Sequence, residues 1–489
     1  MKKKNLKFLA LFFAALFFAF TSCDKKDDPN EPPVPEIQDT EYKETYLIED
    51  NDTIETIVTI KDYGKGTGTI TFTHDKTWVA NGLVFVNQGD ILTIEPGTIL
   101  KGKSGQGENA SAFIVARGAK IIAEGTADNP IIFTAEADGI RYNKILSKVV
   151  FADNLPTLTR GLWGGLILLG RTSSNNPSVD KSIEGIPTTE IRGLYGGNDD
   201  YDNSGILKYV SIRYGGTDIG EGNEINGLTL GCVGSGTIID YVEVIANKDD
   251  GFEWFGGTVR CSHLISAFNG DDCFDYDESF RGYGQFWFAV QGTDNGDRIG
   301  EHDGGPKDNE FGEPYSIPLI YNVTYIGRGS DAGKRLITFR DNAGGKYANS
   351  IFVNQAKGVD IEWLNGSDNS YLQWKNGNLE VKNNIFWQVA EGTAQSIFKL
   401  SGDDGYEPDI LSDWQNYFTI ANNVVYNPGI SFEINSSGGL NPVPSNDVSD
   451  NLAVYPSDFQ NVDYKGAFNP NADNWAKGWT LLDHAGFLD

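Results

Sequence analysis

Apolar and polar positions alternate in short runs along nearly the whole chain beyond residue 40. Ile54-Glu55-Thr56-Ile57-Val58-Thr59-Ile60, Ile91-Leu92-Thr93-Ile94, Ile131-Ile132-Phe133-Thr134 and Ile239-Asp240-Tyr241-Val242-Glu243-Val244 are typical. A period of two puts alternate side chains on opposite faces of an extended segment, and β-branched residues pack well on such faces. Patterns with the 3.6-residue period of a helix are nearly absent. With 58 Gly and many Asn and Asp between the runs, the pattern predicts an all-β protein of closely spaced strands joined by sharp turns.

Internal repetition decides between a sandwich, a barrel and a solenoid. Asn247-Lys248-Asp249-Asp250-Gly251-Phe252-Glu253-Trp254 and Asn269-Gly270-Asp271-Asp272-Cys273-Phe274-Asp275-Tyr276 match position for position at a spacing of 22 residues. That is about one turn of a parallel β-helix, in which equivalent positions stack at ~4.8 Å. Looser echoes at 207–214, 383–387 and 422–426, several entered through paired Asn, extend the array. The paired Asn are expected to stack as amide ladders, copy upon copy. The fold expected is a single-stranded right-handed parallel β-helix occupying residues 74–489 with a C-terminal closing segment. Residues 42–73 form a β cap over its otherwise open N-terminal end. Long polar insertions at 138–160, 171–203, 291–318 and 400–416 are expected to crowd one side, where solenoids carry function.

The N-terminus sets a different expectation. Lys2, Lys3, Lys4 and Lys7 precede the apolar run Phe8–Phe20, too short to span a bilayer, and the run ends in Thr21-Ser22-Cys23. Residues 1–22 read as an export signal. The junction resembles a lipobox, which implies a lipid anchor on Cys23, and Lys26-Asp27-Asp28 resembles the acidic tag that sends Bacteroidetes lipoproteins to the outer leaflet. Residues 23–41, rich in acids and Pro, make a flexible tether. Removing residues 1–22 takes away four Lys and no acid, so the net charge of −29 becomes −33. Such a surface excludes nucleic acid as a partner and favours hard cations such as Ca²⁺. Besides Cys23, Cys232, Cys261 and Cys273 allow at most one disulfide.

The densest chemistry lies in the twin octapeptides. Asp249, Asp250, Glu253, Asp271, Asp272, Asp275 and Asp277 would stack as like charges one rung apart, which a low-dielectric site tolerates only through protonation or a bound cation. Three readings stay open: Ca²⁺ between rungs, with Glu301 and Asp303 of Gly300-Glu301-His302-Asp303-Gly304-Gly305 as further ligands; glycoside hydrolysis, because the paired Asp of successive turns resemble the polygalacturonase pattern, which implies Asp250, Asp271 and Asp272 as acid and base; or acids that only accept turn N–H groups. Among the aromatics of this region, Trp254, Tyr276, Tyr283 and Trp287, together with His302 and Arg340, are the candidates to contact a ligand. Arg281, Arg298, Arg335 and Arg340 are the residues to check for a lyase base.

Across almost all of its mature length the chain resembles a family of Bacteroidetes surface lipoproteins of the pectin-lyase-like superfamily. The stretches that carry the resemblance are Leu92–Ile99, Arg160–Gly165, Gly220–Gly227, Asp249–Gly257 and Gly300–Gly305. The resemblance implies the β-helix and a surface-exposed, lipid-anchored place in the outer membrane, but no single activity. The expectation is therefore a non-enzymatic, monomeric body that binds an extracellular glycan or other polymer, with Ca²⁺. A carbohydrate-active hydrolase or lyase is the main alternative, and a structural adhesin or accessory of an outer-membrane transporter the third.

Overall fold

The computed structural model describes residues 38–489 apart from 179, 221, 222, 307, 308 and 436. The export signal, Cys23 and most of the tether lie outside the described residues.

Successive strands pair in parallel with the strand one turn on, and three faces wind into a right-handed coil. In one complete turn Ile91–Ile94 lies on the first face, Ile99–Gly102 on the second and Ala112–Val115 on the third. The first two faces belong to one 20-stranded sheet and the third is a ten-stranded sheet. The 22-residue spacing holds in the pairing: Phe252, Glu253, Trp254 and Phe255 stand opposite Phe274, Asp275, Tyr276 and Asp277. Alternation sends Phe252 and Trp254 inward and Glu253 outward. Inside, Trp254 and Trp287 stack at 5.0 Å and Phe274 sits 4.8 Å from Trp287. No turn could bury such rings alone, so stacking of neighbours supplies the core.

The first and second faces meet at a single left-handed residue that repeats on every turn from Tyr209 on: Tyr209, Tyr241, His263, Phe286, Asn322, Asn349, Asn383 and Asn422 all have φ between 48° and 59°. Asn tolerates this conformation better than other side-chain-bearing residues, which accounts for the Asn pairs of the later turns. The ladder differs in detail from the amide-to-amide stack expected. Asn384 Oδ1 accepts the Ser350 N–H at 2.9 Å and Asn423 Oδ1 the Asn384 N–H at 3.0 Å, so side chains cap backbone donors of the adjoining turn. In the earlier turns the left-handed column is aromatic, with Tyr209 on Tyr241 at 4.5 Å and Tyr241 on His263 at 4.1 Å.

At the N-terminal end Glu41–Glu49 and Asp52–Lys61 form an antiparallel hairpin whose second strand pairs in parallel with Thr77–Ala80. Ile70–Phe72 already pairs with Leu92–Ile94, so the first turn begins a few residues before the expected 74. The long insertions leave at the two bends that border the third face, and the left-handed bend carries none. After the last coil strand, Val424–Val425, the chain returns as a strap along the outside. Asn322 Nδ2 donates to Tyr464 O at 2.9 Å, and Asn349 donates to Ala453 O at 3.1 Å and accepts its N–H at 2.7 Å. Cys232, Cys261 and Cys273 are separate buried thiols.

Candidate functional site

The acidic octapeptides fold into a bend between the second and third faces followed by a third-face strand. Glycine at 270 is obligatory for the bend, because a Cβ there would fall 2.0 Å from the Lys248 carbonyl of the adjoining turn. Asp250 Oδ1 accepts the Asp272 N–H at 2.8 Å, and Asp272 Oδ1 in turn accepts the Arg298 N–H. One carboxylate oxygen per turn is thus committed to holding the next turn in register. Asp250 is 8% exposed and Asp272 1%. Two of the three residues offered as hydrolytic acid and base, Asp250 and Asp272, therefore sit inside a backbone ladder, while the third, Asp271, is exposed.

On the third face, outward positions form one column: Phe85, Ile114, Ile167, Thr229, Glu253, Asp275, Glu301, Thr338, Asp360 and Lys399. Its middle is acidic, and the acids differ in their company. Glu301 lies 3.0 Å from Arg298 Nη1 and 2.7 Å from Arg340 Nη2, and Arg340 Nε donates to Asp303 at 2.7 Å. Asp360 pairs with Arg335. Among the described residues no Lys or Arg pairs with Asp249, Asp250, Glu253 or Asp275, and the buried Oδ1 of Asp275 finds no hydrogen-bond partner. Among the described residues, Glu253 accepts only from Asn226 Nδ2.

Burial, followed by repulsion from Glu224 and Asp271, pushes the Asp249 carboxyl up to about 7. Burial, with Glu278 and Asp303 adding to it, pushes Asp277 up to about 8. Asp250, Glu253, Asp272 and Asp275 are raised well above the usual carboxylate range, burial being the largest cause for each. Three sets of acids bring one ligand oxygen each to within 4.8 Å of one another: Asp249, Asp250 and Asp271; Asp250, Glu253 and Asp275; and Asp271, Asp272 and Asp297. An all-oxygen set with an orphaned buried carboxylate oxygen has the chemistry of a hard-cation site.

The aromatic and imidazole candidates do not join this site. Trp254, Trp287 and Tyr276 are core, 0%, 0% and 1% exposed, and no sugar can stack on them. His302 is also enclosed, stacked on Tyr276 at 3.9 Å, with Nδ1 against Glu301 O and Nε2 2.8 Å from the Tyr347 hydroxyl. Burial lowers its pKa to about 3, so it is neutral, and both nitrogens are engaged. It is not a ligand. Tyr283 lies on the first face, packed on Phe459 with the Arg260 guanidinium 4.9 Å from its ring. Arg340 reaches the acidic face but is held by Glu301 and Asp303, and Arg281 is held by Asp200 at 2.7 Å. None of the four arginines is a free base.

The insertion at 171–203 docks beside the acids. Glu278, fully buried, accepts from the Tyr195 hydroxyl at 2.7 Å and Asn176 Nδ2 at 3.1 Å and pairs with Lys181. Between this insertion and the third face lies a cleft of about 750 Å³ lined by Ile183, Glu184, Ile186, Tyr195, Ile219 and Phe255 among others. Glu184 is felt electrostatically by Asp249 and Glu253, which places the cleft against the acidic rungs. Glu184, Glu224, Asn226 and Asp297 were not foreseen: they lie outside the repeat and only their acidity marks three of them.

A family model described as a pectate-lyase-like β-helix domain matches residues 64–480, and the chain belongs to that family. No curated protein and no solved structure matches.

Proposed function

We propose that this member of the pectate-lyase-like β-helix family binds an extracellular polysaccharide on its third face, with Ca²⁺ held between the 249–255 and 271–277 rungs. The observation that carries the reading is the group of stacked acids Asp249, Asp250, Glu253 and Asp275, none paired with a Lys or Arg among the described residues, bordered by the 750 Å³ cleft. Asp249, Asp250 and Asp271 would hold an ion at the surface, where glycan oxygens can complete its shell; Asp250, Glu253 and Asp275 would hold one deeper, bracing the turns. The cleft adds apolar surface at the partly buried Leu83 and Ile219 for the faces of sugar rings.

Binding fits better than cleavage. Of the three carboxyls offered as acid and base, Asp250 and Asp272 are each tied to a backbone N–H group of the adjoining turn, which leaves only Asp271 uncommitted where hydrolysis needs a pair. A lyase base would have to come from an arginine that is already ion-paired. The cell address belongs to the same proposal: anchored through Cys23 in the outer membrane of a Bacteroidetes cell, exposed at the surface, a monomeric body able to serve an outer-membrane transporter.

The test is a glycan-array and polysaccharide-degradation screen of the full chain in Ca²⁺ and in EDTA. Saturable binding that needs Ca²⁺, releases no product and is lost in Asp271→Asn is expected. Product release abolished by Asp271→Asn would make the protein an enzyme, and binding indifferent to both EDTA and Asp271→Asn would remove the acids from the site.

A further inference from the structure

A second cavity, away from the acidic face, has a different electrostatic character. It measures about 360 Å³ and its walls come from three segments remote in sequence: the insertion at 138–157, residues 213–214 of the second face, and 481–485 of the C-terminal strap. Arg213 lines it, although it is only 1% exposed. Its Nε donates to Ser211 Oγ at 2.8 Å, but the buried Nη2 finds no acceptor. Among the described residues no acid forms an ion pair with Arg213, in a highly acidic protein. The buried Glu243 feels the Arg213 charge directly, accepts the Ser211 hydroxyl at 2.5 Å, and takes the Leu481 and Leu482 N–H groups at 2.8 and 3.0 Å, so no oxygen of it is bonded to the guanidinium. A buried guanidinium donor without an acceptor is costly unless something occupies it.

The rest of the lining suits a ring that bears a negative group. Tyr214 is 4% exposed, and Phe151, 42% exposed, meets the His484 ring at 4.2 Å across the mouth. Burial, with Arg213 adding to it, lowers the His484 pKa, leaving a neutral imidazole that can donate or accept. Two acids also line the cavity. Asp138 is occupied by the Thr134 hydroxyl at 2.8 Å and the Ile140 N–H at 3.0 Å, and Asp153 is exposed. A cation would therefore find no free buried carboxylate here, whereas an anion finds the Arg213 guanidinium in the wall, with Nη2 behind it still lacking an acceptor.

We propose that this cavity binds a ring-sized molecule carrying a carboxylate, which Arg213 receives while Phe151 and His484 close over the ring. Guanidinium and carboxylate match in shape and charge, and the pair is strongest where water is excluded. A sugar acid and an aromatic acid share this chemistry, and the neighbouring cavity of about 330 Å³, which also uses Phe151 and His484, offers space for a larger body behind the ring.

The experiment is calorimetric titration of the full chain with D-glucuronate and with benzoate, using glucuronamide and benzamide as uncharged counterparts, in EDTA so that the acidic face stays out of the measurement. One carboxylate per chain is expected to bind, its amide roughly tenfold or more weaker; which of the two acids binds tells sugar from aromatic. Phe151→Ala, a change at an exposed position that leaves the fold intact, is expected to weaken binding with an unchanged melting temperature. Arg213→Gln should abolish it, and a carboxylate that no longer raises the melting temperature of Arg213→Lys would agree. Equal binding of acid and amide, no binding of either acid at millimolar concentration, or binding untouched by Phe151→Ala would overturn the proposal.

Discussion

Calcium and pH should act on the stability of this protein in opposition to one another, and the acidic rungs fix the sign. Asp249 and Asp277 hold their protons up to about 7 and about 8 in the folded chain, against a usual value of 3.8. Between pH 4 and 8 the unfolded chain therefore carries fewer protons than the native one, so without metal the native state loses stability as pH rises through this window. Forced ionisation costs at most about 4 kcal/mol for Asp249, moved by about three units, and about 6 kcal/mol for Asp277, moved by about four; these are ceilings, because solvent at the rim of the cluster screens both groups. If the acids hold Ca²⁺ as proposed, the ion should reverse the trend. At a free concentration a hundredfold above Kd it contributes about 2.7 kcal/mol. With an unfolding entropy near 2.1 cal/mol/K per residue over about 450 residues, the melting temperature should rise by roughly 3 °C at pH 8. At pH 5 protons compete for the same oxygens and most of that rise should vanish. Scanning calorimetry at both pH values, in EDTA and in Ca²⁺, reads all four numbers. Asp275→Asn, which removes the orphaned carboxylate without changing its size, should stabilise the EDTA form at pH 8 and shrink the Ca²⁺ shift. A Ca²⁺ shift of equal size at pH 5 and 8, or one that Asp275→Asn leaves whole, refutes the reasoning.

Two further outcomes check the placement of residues. Trp254→Ala, which empties space among Trp287, Phe274 and Phe280, should cost about 3–5 kcal/mol in urea denaturation, while Trp254→Phe leaves glycan binding unchanged because the ring never meets solvent. Asn349→Ala should cost about 2–4 kcal/mol, from two hydrogen bonds to Ala453 and a left-handed backbone at φ 55°. Asn349→Gly should recover the backbone part, and limited proteolysis should show the strap loosened in both.

The turn length, the parallel stacking and the meeting of the two octapeptides were legible because each depends only on period. The 22-residue echo becomes the pairing of Glu253 with Asp275 without adjustment. Which side chains face a ligand was less legible. Trp254 and Tyr276 alternate with Glu253 and Asp275 along the same strands, and alternation assigns two faces without saying which is the inside; the Phe252 and Phe274 partners on the inward face would have decided it. The left-handed column was visible only where Asn fills it. Tyr209, Tyr241, His263 and Phe286 take the same conformation, held there by packing against one another and by Trp475 and Trp479 of the strap, a tertiary cause that no local pattern carries. The strap lacks strand periodicity altogether, so its cavity with Arg213 had no sequence signal beyond a basic residue at a strand end.

The outward column of the third face shows why the acidic rungs call for a functional explanation. It begins with Phe85, Ile114 and Ile167, which the insertion at 171–203 covers as a satellite core with Ile183, Ile186 and Tyr195. It ends with Asp360 paired to Arg335, and with Lys399 opposite Asp360 on the last turn. Both ends obey the ordinary rules, apolar under cover or charge beside countercharge. Glu253 and Asp275, adjoining in the middle, obey neither. In a solenoid stability is close to a sum over neighbouring turns, so distant turns cannot offset a repulsive contact between these two. Threonine already occupies the column at 229 and 338 and would fit there without charge. Local rules broken where a harmless residue fits, with a cleft alongside, mark the place where a function rather than folding sets the sequence.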